Sequence, residues 1–193
     1  SFSHLSKRYS RELNNIKALH AFNRSYGVHE TFFFGMRNGL NLSYHWKEAE
    51  PFIRYLLQEK VLVGLHGMAY DSLDLLKEEA ARLKSFLPEN YPLGIRNHYL
   101  RRNERTLDIM DEAGFLFDST IYQQVEPYRN GKMWEIPIGV MDAGFLSPLK
   151  NNLDKLKRKS IGLIEKSAGN SFFVINFHDI YFSDGYPDFK EWY

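Results

Sequence analysis

An α/β chain with a mainly parallel sheet is the class this sequence predicts, and two observations carry it. Short β-branched or aromatic runs alternate with amphipathic stretches of helical period, and polar, chemically capable residues stand directly after the apolar runs, where parallel α/β folds gather their functional groups. From Arg11 to Tyr26, Leu13, Ile16, Leu19, Phe22 and Tyr26 keep helical spacing, and Gly27 stops the helix. Thr31 to Phe34, entered through Val28, is short and aromatic, a buried strand broken by Gly35. Phe52, Ile53, Leu56 and Leu57 mark the next helix, with Pro51 in its first turn, and Val61 to Leu65 the next strand, ending at His66. After Asp71, read as an N-cap, Leu73, Leu76, Ala80, Leu83 and Leu87 form the buried stripe of a surface helix closed by Pro88. A strand from Leu93 to Ile95 comes next, then a helix capped by Asn103 and ended by Gly114, then strands Phe115 to Phe117 and Met133 to Ile138. The last unit is a helix from Leu149 to Ser167, stopped by Gly169, feeding Phe172 to Phe177. This makes six strands and at least four intervening helices, with no low-complexity linker and no fixed repeat. The pattern suits most of a (β/α) barrel or an open doubly wound sheet.

The 193 residues suit a single domain over 1–193. Basic and acidic residues number 25 and 24, a net charge of +1, so charge alone recruits no polyanion and nucleic acid is not an expected partner. No apolar run approaches the roughly 20 residues of a membrane span. With no leader in view, the compartment reads as cytoplasmic. Zero Cys excludes disulfides and thiolate metal sites, leaving any metal to His, Asp or Glu. No strand is followed by a Gly-rich phosphate loop: Gly35 to Gly39 lacks the P-loop Lys-Ser/Thr pair and the dinucleotide fingerprint.

Each apolar run gives way to polar residues. His66 comes after Val61 to Leu65, Arg96 and His98 after Ile95, and Asp118 after Phe117. Glu135 lies inside its strand, Asp142 stands just beyond it, and His178 and Asp179 come after Phe177. Three His, an Arg and several carboxylates at strand ends form a constellation rather than a scatter. Arg96 would need a carboxylate partner, and Asp118 or Glu135, from adjoining strands, is the expected one.

The segments HETFFFG, VGLHGMAYD, GIRNHYLRRNERTLDIMDEAGFLFDST, WEIPIGVMD and FFVINFHD resemble, in order and spacing, successive blocks of the polysaccharide deacetylase family, over about Tyr26 to Phe182. The resemblance implies a distorted (β/α)7-type barrel with mostly parallel strands, its first and last strands outside this chain. It also implies one divalent metal, usually zinc, and removal of acetyl groups from N- or O-acetylated sugars. His66 matches the first histidine of the family's H-x-x-x-H stretch, but Tyr70 holds the place of the second. The family's R-x-P-Y-G block keeps Arg96, while His98 stands at the proline, so His98 is the expected second imidazole. The acidic pair that supplies a metal ligand and the general base has no counterpart from Ser1 to the first helix; it lies before Ser1 or is lost, with His4 a weak substitute.

On this resemblance His66 and His98 are metal ligands and His178 protonates the departing amine, with Arg96 and Asp118 completing the catalytic set. Tyr99, Tyr70, Glu135 and Trp134 are the expected substrate contacts, and Tyr44, Trp46 and Tyr122 are further aromatics able to stack or to pack. The expected partner is an acetylated sugar or polysaccharide of the cell surface, or its precursor; the oligomeric state stays open. Two other readings stand beside it: a degenerate glycan-binding module, favoured by the broken H-x-x-x-H, and a hydrolase of another C–N bond.

Overall fold

A computed structural model of the chain describes residues 13–39, 42–142 and 153–193. His4, the start of the first expected helix and the Leu149 end of the last lie outside them. The chain forms two compact units: Glu30–Tyr122 with Glu126–Pro137, and the segments up to His29, Gln123–Val125 and Ile138–Tyr193.

The larger unit holds a mixed sheet in the order β1-β2-β3-β4-β6-β5. Its strands are β1 (Thr31–Phe34), β2 (Leu62–Gly67), β3 (Gly94–Asn97), β4 (Phe117–Asp118), β5 (Tyr128–Asn130) and β6 (Met133–Glu135). All neighbours run parallel except β5 and β6. The parallel pairs need crossovers, and helices supply them. The helix Glu50–Gln58 follows β1, Leu73–Lys84 follows β2 and Thr106–Glu112 follows β3. The first of these has Pro51 in its opening turn, where the missing N–H costs nothing. It buries Ile53 and Leu56, and the second buries Leu76 and Leu83, on the apolar stripes that the periodicity marks. The expected cap of the second helix shifts by one residue: Ser72, rather than Asp71, accepts from the Leu75 N–H.

The apolar run Met133 to Ile138, read as one strand, is two. β6 ends at Glu135, and after Ile136 and Pro137 the strand β7 (Ile138–Met141) pairs in parallel with β8 (Val174–Asn176) in a separate two-stranded sheet. Pro137 has no N–H to give a ladder, which ends β6 there. The sequence reading also omits β5. Asn130 and Met133 are cross-strand partners, so Gly131 and Lys132 form a two-residue hairpin loop. Gly131 takes φ 60° at the first loop position, where a type II′ hairpin turn calls for glycine.

The smaller unit contains the helices Ile16–Ser25, Leu153–Lys166 and Pro187–Trp192 beside β7 and β8. Val140 and Leu156 form its buried nucleus, covered by Leu163, Phe173 and Trp192. Phe22 packs against Tyr26, Phe182 and Tyr193, so these rings serve packing. Among the described residues no helix is long and apolar enough to cross a membrane.

Candidate functional site

The larger unit brings together the two imidazoles that the sequence singles out. His66 lies inside β2, next to its last residue, and His98 opens a short 3-10 turn directly after β3. His66 Nε2 and His98 Nδ1 are 2.8 Å apart, the rings nearly perpendicular at 88°. In one ring the nitrogen carries the proton and in the other it accepts. Tyr99 lies tilted against His98, centroids 3.9 Å apart, and at 61% exposure is the most open of the expected substrate contacts. Tyr70 and Trp134 each have a face covered by a guanidinium, Arg101 at 4.3 Å and Arg129 at 4.4 Å. Tyr44 is buried, its hydroxyl accepting the Gly35 N–H, and serves packing.

Two neutral imidazole nitrogens 2.8 Å apart are of the right type for a zinc-like ion. They would part only to about 3.3 Å to share one tetrahedral ion at about 2.0 to 2.1 Å from each. They supply two donors, and among the described residues no group of three or more His, Cys, Asp or Glu could hold a metal. The imidazole pair therefore fits part of such a centre.

The carboxylates behave differently from expectation. Asp118 and Glu135 are direct register partners on β4 and β6, both fully buried. Thr120 donates to Asp118 Oδ1 at 2.5 Å, and the Ile121 N–H donates to Glu135 Oε1 at 3.1 Å. The other oxygens, Asp118 Oδ2 and Glu135 Oε2, meet no N–H or O–H donor among the described residues. One proton shared between the two carboxyls satisfies both. Burial raises the Asp118 pKa, and burial together with the neighbouring Asp118 pushes Glu135 up to about 9. The pair thus keeps a proton at neutral pH.

Arg96, expected to meet one of these carboxylates, instead donates from Nε to the Ser119 carbonyl at 2.8 Å and from Nη2 to the Ser119 hydroxyl at 2.7 Å. Its guanidinium lies over Phe33 at 4.6 Å. Its positive charge still reaches Glu135, where it opposes the rise in that carboxyl's pKa.

The smaller unit places His178 after β8. Asp142, fully buried at the end of β7, sits 2.8 Å from His178 Nδ1 through Oδ1, and its Oδ2 accepts the His178 N–H at 2.6 Å. This grip sets the ring's tautomer and aim. Sequence reading places Asp142 at a strand end and gives it no role. The signal that could have found it is the parallel pairing of β7 with β8, which carries both strand ends in one direction. Asp179 caps, accepting the Leu13 N–H at 2.8 Å and the Asn15 amide through its carbonyl.

No family model matches the chain, and no curated protein matches it by sequence. Solved structures do. A proposed polysaccharide deacetylase from Mycobacterium smegmatis aligns with a TM-score of 0.66 at 17% identity, over 98% of this chain and 72% of that one. A second, from Bordetella bronchiseptica and described as involved in O-antigen biosynthesis, aligns with a TM-score of 0.52 at 16% identity, over 86% of this chain and 66% of that one. The chain shares the fold of these deacetylase-like proteins, as a divergent example of it.

Proposed function

We propose that the protein is a hydrolase of the polysaccharide-deacetylase kind, removing acetyl groups from N- or O-acetylated sugars of a cell-surface polysaccharide or its precursor. The observation that carries this reading is the meeting of His66 Nε2 and His98 Nδ1 at 2.8 Å in a fold shared with deacetylase-like proteins. The proposal extends to the architecture, a distorted barrel of the kind the sequence resemblance implies.

His66 and His98 would hold a divalent ion, zinc by the chemistry of the donors, with its remaining ligands outside this pair. Such an ion, when bound, acidifies a water and polarises a carbonyl. The chain's own groups do the rest. Tyr99, open and packed at a tilt against His98, offers a face to a sugar ring. Within the smaller unit His178, with Nδ1 engaged by Asp142, has Nε2 left to take up and release a proton.

The test is acetate release from acetylated glucosamine oligomers by the full chain supplied with zinc. Outer-shell partners of metal sites are worth about 10- to 100-fold, so His66→Ala or His98→Ala should cost at least about a hundredfold. A folded protein that neither binds zinc nor releases acetate overturns the proposal. Oligosaccharide binding without acetate release would instead support the second reading, a glycan-binding module. That reading is favoured by Tyr70, whose ring, covered by Arg101 at 4.3 Å, stands where the resemblance expects an imidazole.

A further inference from the structure

We propose that Asn97 is the positioning residue that aims His98 at His66. The inference rests on the imidazole pair being the working site, but the contacts behind it involve no metal.

His98 stands beyond the end of β3, and the turn that presents it is strained. Tyr99 and Leu100, neither of them glycine, take φ 55° and 51° in succession. Side chains in this left-handed region are unfavourable and persist only where neighbouring structure holds them. The hold comes from Asn97. Its Nδ2 donates to the Arg101 carbonyl at 2.8 Å, spanning the strained pair, while the Arg101 N–H donates back to the His98 carbonyl at 3.2 Å. The Asn97 N–H is itself tied down, donating at 3.0 Å to Thr120 Oγ1, which donates on to Asp118 Oδ1 at 2.5 Å. The base of the turn is thereby fixed to the strand beyond β3.

The same side chain touches the other imidazole's strand. Asn97 pairs in register with Gly67, the neighbour of His66. A Cβ at Gly67 would lie 2.7 Å from Asn97 Oδ1 and 2.8 Å from Ile95 Cδ1, so only glycine lets the amide lie against the end of β2. Asn97 is fully buried, and its Oδ1 has no hydrogen-bond partner. A buried acceptor left unsatisfied is a standing cost to the fold. The site uses a short side chain with an N–H at its tip, which Asp does not carry and Gln would place too far out. The amide thus bridges the ends of the two strands whose histidines meet.

The test tracks the shared imidazole proton in the metal-free, 15N-labelled full chain, by long-range 1H–15N correlation of His66 and His98. Wild type should show a hydrogen-bonded imidazole N–H between the two rings. Asn97→Ala should lose it while cooperative unfolding and the amide resonances of β1 and β2 persist. Asn97→Asp, which keeps the size without the donor, should lose it too and serves where the alanine variant fails to fold. Adding Leu100→Gly to Asn97→Ala removes one left-handed side chain and should restore the resonance in part, a rescue that general loosening would not give. Zinc alone, titrated into Asn97→Ala, should bind about tenfold more weakly than to wild type. The proposal is overturned by a wild type lacking the shared proton, by a folded Asn97 variant that keeps it at full strength, or by a loss that Leu100→Gly leaves untouched. Should wild type bind no zinc, the metal reading falls by itself, and the imidazole resonance still decides the role of Asn97.

Discussion

One six-stranded sheet carries two pairs of like ionisable groups, and the pairs are built in opposite ways. Asp118 and Glu135 are opposed in register on β4 and β6, fully buried, and meet because neighbouring residues on adjacent strands point to the same face. His66 is opposed in register to Arg96 rather than to His98, so the imidazoles meet only because a strained turn swings His98 back across the end of the sheet. The acid pair, sealed from water, retains a proton, whereas the imidazole pair lies where Tyr99 is 61% exposed and a ligand can arrive. Pairing by register makes a structural element. Pairing by a turn makes an adjustable one.

The widest separation between the two pairs should be in pH dependence. Glu135 has a folded pKa of about 9 against an ordinary 4.5, so the native state binds the extra proton. Its stabilising contribution is complete below about pH 4.5 and is lost as pH rises toward 9. Urea unfolding at pH 5 and pH 8 should therefore show wild type losing a few kcal/mol of stability over that interval, and Glu135→Gln should flatten the loss. A slope unchanged in that variant would remove the shared-proton account.

Truncation should divide the pairs next. Asp118→Ala strands the Glu135 carboxyl and the Thr120 hydroxyl in a dry interior and should cost about 3 kcal/mol. His98→Ala removes one part-buried hydrogen bond and should cost about 1 kcal/mol. Equal losses in denaturant titrations would mean that the imidazole pair is as structural as the acid pair.

A lone carboxyl sharpens the point. Glu79, buried on the helix Leu73–Lys84, accepts the Met68 N–H at 2.8 Å, and burial pushes its pKa to about 7. Its contribution is likewise present below about pH 4.5 and fades as pH rises toward 7. Glu79→Gln keeps the acceptor and should make the protein about 2 kcal/mol less sensitive between pH 5 and pH 8 than wild type. A full acid-pair-sized effect here would show that burial alone, rather than pairing, dominates Glu135.

Much of the scaffold was legible in the residues. Helices with one apolar stripe, such as Leu73–Lys84, follow from spacing alone, and strand ends are where polar groups collect, which located His66, His98 and His178. The break at Ile136 and Pro137 was legible too, in a proline that gives a ladder no N–H, and so was the hairpin at Asn130 and Gly131. In the first case the continuous apolar run Met133 to Ile138 outweighs the single breaking residue. The partner of Arg96 was not legible. Ser119, which follows β4, meets the guanidinium with its carbonyl and hydroxyl, a contact set by how β3 and β4 pair rather than by any local pattern.

By itself the sequence determined the order of strands and helices and which side chains end each strand, because hydrophobic period and backbone breakers are local properties. Only the tertiary structure decided which of those side chains meet. Register sets Asp118 against Glu135, a turn of left-handed residues sets His98 against His66, and the β7–β8 pairing sets Asp142 against His178. Each is a contact between residues distant in sequence, and its energy depends on burial and on neighbours that no local pattern specifies.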